Sequence, residues 1–281
     1  MSSRSPDLPR AFLGAPLAHR GLHDASSGVV ENSASAVSAA VEAGYGIEID
    51  VQLAACGEAM VFHDDHLDRL TGESGPLRDR AAAELGGIAL SGGTDTIPTL
   101  AEIFDLVAGR AALLIEIKDQ DGALGGGVGP LERRIAELLD GYDGPVAVMS
   151  FNSHSVAAFA AHAPEGVAWG LTTCAFQSSD WPNVPAARRT ELAHLTGLRE
   201  TGASFLSHDR RDLDSPAVIA ARASGCPVLT WTVRSPKEEL MARRHADNIT
   251  FESYMPDRVH APVSPRPAGP GWRKRTPRNS R

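Results

Sequence analysis

Carboxylate side chains interrupt two otherwise apolar segments of the sequence. Glu48 and Asp50 lie within the run GIEIDV, and Glu116 lies within ALLIEIK. Both runs are typical of buried strands, in which residues two positions apart point to the same face. A buried carboxylate needs a cation, a proton or several hydrogen-bond donors. Three of them predict a site for one hard divalent cation, Mg²⁺ or Ca²⁺, and the alternative is a salt-bridge network with Lys118 and Arg20.

Two histidines stand where predicted strands end. His19 follows the first predicted strand and precedes Arg20, whereas His63 ends a short extra strand after the second. An imidazole gives or takes a proton near neutral pH, so the pair predicts general acid and base catalysis on a phosphate ester. We expect the planar guanidinium of Arg20 to grip the phosphoryl oxygens. The alternative for either histidine is a structural position at the rim of the fold.

The elements that would position these residues alternate along the chain. Eight β-rich runs cover residues 16–18, 46–51, 112–117, 146–150, 167–171, 204–207, 227–231 and 248–251. Predicted helices cover residues 33–43, 98–108, 130–140, 153–162, 186–200, 215–224 and 236–245. Nearly continuous apolar strands between helices indicate a buried parallel sheet. We therefore predict an α/β fold, a single (β/α)8 TIM barrel, rather than a doubly wound sheet, because no GxGxxG motif follows the first strand.

Two connections are longer than a simple strand-to-helix loop. Residues 52–97 contain CGEAMVFHDD, which predicts a turn and an extra strand, and hence a small hairpin insertion after strand 2. Residues 172–185 form a long proline-containing loop after the fifth strand. Both are expected at the C-terminal face of the barrel, where such folds carry out chemistry. His208 and Asp209, after the sixth strand, are further candidates at this rim, for which a structural role is favoured.

The composition excludes several classes of protein. The net charge of -8 combines an acidic body with a basic tail at 262–281 that holds six Arg or Lys and no acid. An acidic body predicts no nucleic-acid partner, and the Pro- and Gly-rich tail is predicted to be disordered. No apolar run approaches the length of a membrane span and no signal peptide is apparent, so we expect a cytoplasmic protein without integral membrane association. The predicted divisions are an N-terminal extension at 1–15, the barrel at 16–261 and the tail.

Several short motifs, in their order and spacing, resemble those of the glycerophosphodiester phosphodiesterase family. They are AHRG at 18–21, ENS at 31–33, GIEIDV at 46–51, VFHD at 61–64, LDRLTG at 67–72, IPTLAE at 97–102, IEIK at 115–118, SF at 150–151 and WTV at 231–233. The resemblance extends from about residue 16 to residue 252. A single HRG would be weak evidence, whereas the ordered set is specific.

The resemblance implies a metal-dependent (β/α)8 barrel that hydrolyses glycerophosphodiesters, which are small molecules, to glycerol 3-phosphate and an alcohol. By motif position it implies metal ligands at Glu48, Asp50 and Glu116, a general acid and base at His19 and His63, and phosphate contacts at Arg20 and Lys118. Trp231 would form an apolar wall against the glycerol, or else be a core aromatic. Either histidine can be the acid, and either water or the neighbouring glycerol hydroxyl can attack the phosphorus.

The chain departs from the family pattern in two places near the end of the barrel. Arg234 stands where asparagine is usual after WTV, and Glu252 stands where aspartate is usual. Arg234 would add a contact to the phosphate or headgroup, or point to solvent. The loop that contains Phe176 and Trp181 is expected to shape the pocket for the alcohol.

Three functions are therefore considered. The first is hydrolysis of deacylated phospholipids such as glycerophosphocholine or glycerophosphoethanolamine. The second uses the same site on lysophospholipids, as a lysophospholipase D, by hydrolysis or by cyclising transfer. The third is a barrel that has lost catalysis and serves as a binding module, against which the presence of every expected ligand and both histidines argues.

Overall fold

Parallel strands close into a ring in the computed structural model of the chain, which describes residues 4–258. The strands are β1 (Leu17–Ala18), β2 (Gly46–Leu53), β3 (Ala59–Val61), β4 (Leu113–Ile117), β5 (Val146–Ser150), β6 (Ala168–Thr173), β7 (Phe205–Asp209), β8 (Val228–Val233) and β9 (Asn248–Phe251). Within this range eight of them pair in parallel in the order β1-β2-β4-β5-β6-β7-β8-β9, and β9 pairs back with β1. The predicted TIM barrel is confirmed, because an open doubly wound sheet would have two free edges.

Helices connect most of the barrel strands. They are α1 (Ala34–Ala43), α2 (Ala82–Leu85), α3 (Leu100–Val107), α4 (Pro130–Leu139), α5 (Ser153–Ala160), α6 (Ala186–Ala193), α7 (Gly197–Thr201), α8 (Pro216–Ala223) and α9 (Pro236–Ala242). The single helix predicted at 186–200 is wrong, since α6 and α7 are separate. Leu195, between them, has a φ of 56°, which a continuous right-handed helix does not allow.

The extra strand of the insertion lies outside the ring. β3 pairs antiparallel with the end of β2, with Val51 opposite Val61 and Leu53 opposite Ala59, so the predicted hairpin is confirmed. Phe62, Leu67 and other apolar side chains of the insertion form a separate small core. This core fixes the segment that carries His63 beside the mouth of the barrel.

Successive side chains along β2 point alternately to the interior of the barrel and to the core between the strands and the helices. Ile47, Ile49 and Val51 belong to the core between strands and helices. Glu48 and Asp50 point to the interior of the barrel, where they line a cavity. The period of two in the sequence therefore places both carboxylates inside, as predicted.

The floor of the barrel is apolar. Leu114, Phe205 and Leu229 fill the interior below the carboxylates, and Phe12, from the segment before β1, packs against them with no exposed surface. Gly170 makes room for the Phe205 ring, because a Cβ there would come within 2.6 Å of it. The described part of the predicted N-terminal extension thus closes the bottom of the barrel. The predicted tail at 262–281 lies outside the described residues.

The helices of residues 4–258 include none that is both long and apolar enough to cross a membrane.

Candidate active site

Three buried carboxylates meet near the C-terminal ends of neighbouring strands. β2 carries Glu48 and Asp50, and β4 carries Glu116, which is in register with Asp50. Their exposed fractions are 2%, 2% and 6%, and one ligand oxygen from each lies within 4.8 Å of the others. Oxygen donors grouped in this way suit a hard divalent cation such as Mg²⁺ or Ca²⁺. The acidic triad is therefore compatible with a divalent metal site.

Two basic side chains already contact this triad. Lys118 Nζ lies 2.9 Å from Glu116 Oε1 and 3.4 Å from Asp50 Oδ1, and Arg20 Nε lies 3.2 Å from Asp50 Oδ2. Burial opposes the charged form of Asp50, but Lys118, His63 and Arg20 hold the pKa of Asp50 well below its usual range. The salt-bridge network considered from the sequence is thus present for two of the three carboxylates.

Glu48 is the carboxylate that this network leaves uncompensated. Within residues 4–258 no lysine or arginine side chain forms an ion pair with Glu48. Its carboxylate accepts a hydrogen bond from the backbone N–H of Arg20 at 3.1 Å, and His19 Nε2 lies 4.0 Å from it. Burial, together with the charges of Asp50 and Glu116, raises the pKa of Glu48 well above its usual value. A divalent cation between the three carboxylates would remove this penalty, so the residues fit such an ion.

The imidazole of His19, which follows β1, is oriented by Glu252, which follows the neighbouring strand β9. Its Nδ1 donates to Glu252 Oε2 at 2.5 Å, so Nε2 is the nitrogen that faces the carboxylates. Burial lowers the pKa of His19, and the bond to Glu252 opposes that shift. The second oxygen of Glu252 accepts from Arg234 Nε at 2.6 Å. The two departures from the family pattern therefore contact each other, which the sequence analysis did not foresee.

His63 is held by a longer chain of ion pairs. Its Nδ1 donates to Asp64 at 2.6 Å, and Asp64 in turn accepts from Arg69 at 2.6 and 2.9 Å. Arg69 also pairs with Glu31, which accepts from Arg20. Burial would raise the pKa of Asp64, but Arg69 and His63 lower it to about 2. Glu31 and Arg69 are not among the predicted site residues, although they lie in the motifs ENS and LDRLTG respectively.

All eight site residues predicted from the sequence line one cavity of about 180 Å³. They are His19, Arg20, Glu48, Asp50, His63, Glu116, Lys118 and Trp231. The indole of Trp231 donates to the carbonyl of Ser207 at 3.0 Å, and its ring packs edge-on against Phe151. The cavity combines carboxylates that can hold a cation, the cationic side chains of Arg20, Lys118 and Arg234, and two imidazoles. Such a set can bind a phosphoryl group and transfer protons on either side of it.

His208 does not take part in this cavity. It is 1% exposed, its Nδ1 lies 2.8 Å from Thr173 Oγ1, and its Nε2 lies 3.2 Å from Asp212. Asp209 pairs with Arg211 at 2.6 Å. These contacts agree with the structural role favoured for the pair.

Comparison with known proteins identifies the family of the chain. A phosphodiesterase from Oleispira antarctica, solved in complex with the product sn-glycerol-3-phosphate, superposes with a TM-score of 0.70 at 26% identity, over 87% of this chain and 94% of that one. A glycerophosphodiester phosphodiesterase of Caldanaerobacter subterraneus subsp. tengcongensis is 35% identical over 150 residues, which are 50% of this chain and only 59% of that enzyme. The Bacillus subtilis protein YhdW is 27% identical over 79% of this chain and 86% of its own length. Residues 19–252 match the model of the glycerophosphoryl diester phosphodiesterase family, and the chain belongs to that family.

Proposed function

We propose that the chain is a metal-dependent phosphodiesterase that hydrolyses glycerophosphodiesters to glycerol 3-phosphate and an alcohol. The observation that carries the proposal is the convergence of three buried carboxylates with two oriented imidazoles in one cavity. Family membership and the likeness to an enzyme bound to sn-glycerol-3-phosphate support the same substrate class. A barrel that serves only as a binding module would have no need of imidazoles fixed in this way.

Glu48, Asp50 and Glu116 would hold one divalent cation, Mg²⁺ or Ca²⁺. When bound, the cation supplies positive charge that stabilises the phosphoryl oxygens as the ester bond breaks. Arg20 and Lys118 line the same cavity and would donate hydrogen bonds to the non-bridging oxygens of the phosphate. Their existing contacts with Asp50 and Glu116 hold both side chains in place for that task.

Proton transfer would fall to His19 and His63. Each histidine has its Nδ1 on a carboxylate, Glu252 and Asp64 respectively, so in each ring Nε2 remains available for the substrate. One imidazole would take the proton from the attacking hydroxyl, and the other would give a proton to the oxygen of the departing alcohol. The paired carboxylates would stabilise each ring while it is protonated.

The deciding experiment measures release of glycerol 3-phosphate from glycerophosphocholine. We expect EDTA to abolish the release and Mg²⁺ or Ca²⁺ to restore it. His19→Ala and His63→Ala should each lower kcat/KM by about 10²- to 10⁴-fold, the usual contribution of a general acid or base. His162→Ala, at an exposed histidine on the outside of the barrel, is the matched control and should leave the rate unchanged.

Each part of the proposal has its own contrary result. Full activity in EDTA would contradict the metal requirement, and unaltered turnover in both histidine variants would contradict the proton-transfer roles of His19 and His63. If glycerol 3-phosphate is not released from any glycerophosphodiester, the proposed activity is wrong. Choline release from lysophosphatidylcholine and from glycerophosphocholine, measured side by side, separates the second candidate, since that activity would release choline from the acylated substrate but not from the deacylated one.

A further inference from the structure

A second and larger cavity adjoins the catalytic one. It has a volume of about 440 Å³, against about 180 Å³ for the cavity that holds the carboxylates. The two share His63, Glu116, Lys118, Phe151 and Trp231 along their common border. A substrate whose phosphate lies between Lys118 and His63 could therefore extend directly into the second cavity.

Three aromatic rings form one wall of this second cavity. The Phe151 ring centroid lies 4.9 Å from that of Trp181 and 5.5 Å from that of Trp231. Each of the three rings is only partly buried, so each keeps surface open to the cavity. Phe176 supports Trp181 from behind at 5.3 Å and is itself 3% exposed. The wall is therefore fixed in place by the packing of the loop after β6.

Carboxylates line the same cavity. They belong to Asp65, Asp119 and Asp180; none of the three forms an ion pair within 4.0 Å among residues 4–258, although Arg211 is close enough to interact with the charge of Asp180. Asp119 is held by the backbone N–H groups of Gly122 and Leu124 at 2.7 and 3.1 Å, contacts that leave its negative charge uncompensated by any cation. Among the described residues, Lys118 is the one lysine or arginine that lines this cavity, and it is already paired with Glu116 and Asp50.

Aromatic faces and carboxylates in one cavity favour one kind of ligand. A cation with an apolar surface is attracted by the negative face of an aromatic ring and by the carboxylates together. A neutral polyol would leave hydroxyl groups without partners on the aromatic wall, and an anionic headgroup would be repelled by the aspartates. A quaternary ammonium group is attracted by both the aromatic rings and the carboxylates that line the cavity.

We propose that this second cavity binds the ammonium headgroup of the departing alcohol and makes the enzyme selective for choline-type esters over esters of neutral alcohols. The selectivity between esters rests on the proposed function, because it requires that the catalytic site hydrolyse them. The headgroup site also places the ester oxygen of the departing alcohol beside His63, which borders both cavities, rather than beside His19, which borders only the smaller one.

The test compares two substrates that differ by one atom in the headgroup. Glycerophosphocholine carries a quaternary nitrogen, and the 3,3-dimethylbutyl ester of glycerol 3-phosphate carries a neutral carbon at the same position. We expect kcat/KM to favour the choline ester by about tenfold or more, since a desolvated cation–π contact alone contributes roughly that factor. Trp181→Leu and Asp180→Asn should each lower this ratio by several-fold, whereas Asp105→Asn, which removes an exposed aspartate on α3, should leave it unchanged.

A binding measurement keeps the result independent of turnover. Choline added to the protein should quench tryptophan fluorescence through the rings of Trp181 and Trp231, and 3,3-dimethyl-1-butanol at the same concentration should not. Equal kcat/KM values for the two esters, or equal quenching by the two alcohols, would overturn the proposed headgroup site while leaving the phosphodiesterase activity intact. If no glycerophosphodiester is hydrolysed and choline still quenches selectively, the proposed activity fails and the ammonium site stands.

Discussion

Glu252 is expected to act as a positioning residue for His19, and the substitution Glu252→Gln tests this. The carboxylate accepts from His19 Nδ1 at 2.5 Å and from Arg234 Nε at 2.6 Å. Burial raises the pKa of Glu252, but the hydrogen bond from His19, the nearby imidazole of His23 at 3.7 Å and the charge of Arg234 lower it well below its usual range. Glu252 is therefore ionised at any working pH. Glutamine keeps the size and an acceptor oxygen but removes the charge that stabilises protonated His19.

The magnitude follows from the kind of bond that is weakened. A hydrogen bond to a charged group contributes about 1.5–3 kcal/mol, and each 1.36 kcal/mol corresponds to a factor of ten in rate. If His19 is protonated in the transition state, Glu252→Gln should lower kcat/KM by roughly 10- to 100-fold. Arg234→Ala is the companion variant, because it removes the other ion-pair partner of Glu252, a side chain that is 52% exposed. An exposed ion pair contributes at most about 1 kcal/mol, so this variant should lose no more than about fivefold.

The pH profile separates positioning from general damage to the fold. Burial lowers the pKa of His19, and Glu252 raises it. Without the carboxylate charge, the pKa of His19 should fall further. The limb of the pH–rate profile that reports His19 should then move to lower pH, whether His19 acts as the acid or as the base. Damage to the fold would lower the whole profile without moving that limb.

The assay is kcat/KM for release of glycerol 3-phosphate across pH 5 to 9, in wild type, Glu252→Gln and Arg234→Ala. Glu252→Asp, which restores the residue usual in the family, should recover part of the lost rate. The reasoning is refuted if Glu252→Gln keeps its rate within twofold of wild type, or if its profile falls without any shift along the pH axis.

Three further results are expected. Mg²⁺ or Ca²⁺ should raise the Tm of the wild type, because at a hundred times Kd a bound ion adds about 2.7 kcal/mol to the free energy of unfolding. The rise should be much smaller in Glu48→Gln, which removes the carboxylate that has no lysine or arginine partner among residues 4–258. Phe12→Ala should lower the free energy of unfolding, measured in urea, by about 3–5 kcal/mol, because the ring is fully buried under the barrel. Leu240→Ala is the control: this side chain is 65% exposed, so the free energy of unfolding should change by less than about 0.5 kcal/mol. His63→Ala should lose far less activity on a p-nitrophenyl ester than on glycerophosphocholine, because p-nitrophenolate leaves without a proton from His63; equal losses would place the general acid elsewhere.

The features that the sequence could predict are those with local signals. The period of two in GIEIDV separates outward Ile47 and Ile49 from inward Glu48 and Asp50, and the structure has this arrangement. The break between α6 and α7 was missed because Leu195, with its φ of 56°, is a residue type that carries no signal for a left-handed conformation.

Contacts made through tertiary structure were missed for a different reason. Glu252 and His19 are 233 positions apart, and only closure of the ring brings β9 beside β1. Arg69 and Glu31 meet 38 positions apart, across an insertion whose path the strand pattern does not specify. The residues of both pairs were visible in the motifs, but no local pattern states which carboxylate a given arginine or histidine will contact.

A salt-bridge network and a metal site are compatible interpretations of the acidic residues. The network compensates part of their negative charge, and a bound cation would compensate the rest. With all three ionised, the carboxylates would carry one excess negative charge over the cationic side chains of Arg20 and Lys118. Among residues 4–258, Glu48 is the member without an ion-paired lysine or arginine, and its raised pKa reflects that excess. The Arg234–Glu252 pair beside it adds no net charge. A divalent cation would turn that excess into one positive charge, and a phosphodiester monoanion would then bring the site to neutrality. The network alone would hold the carboxylates but repel the substrate, and the cation alone would leave no donors for the phosphoryl oxygens. Under the proposed function, the cation and the network would therefore act together on the phosphodiester.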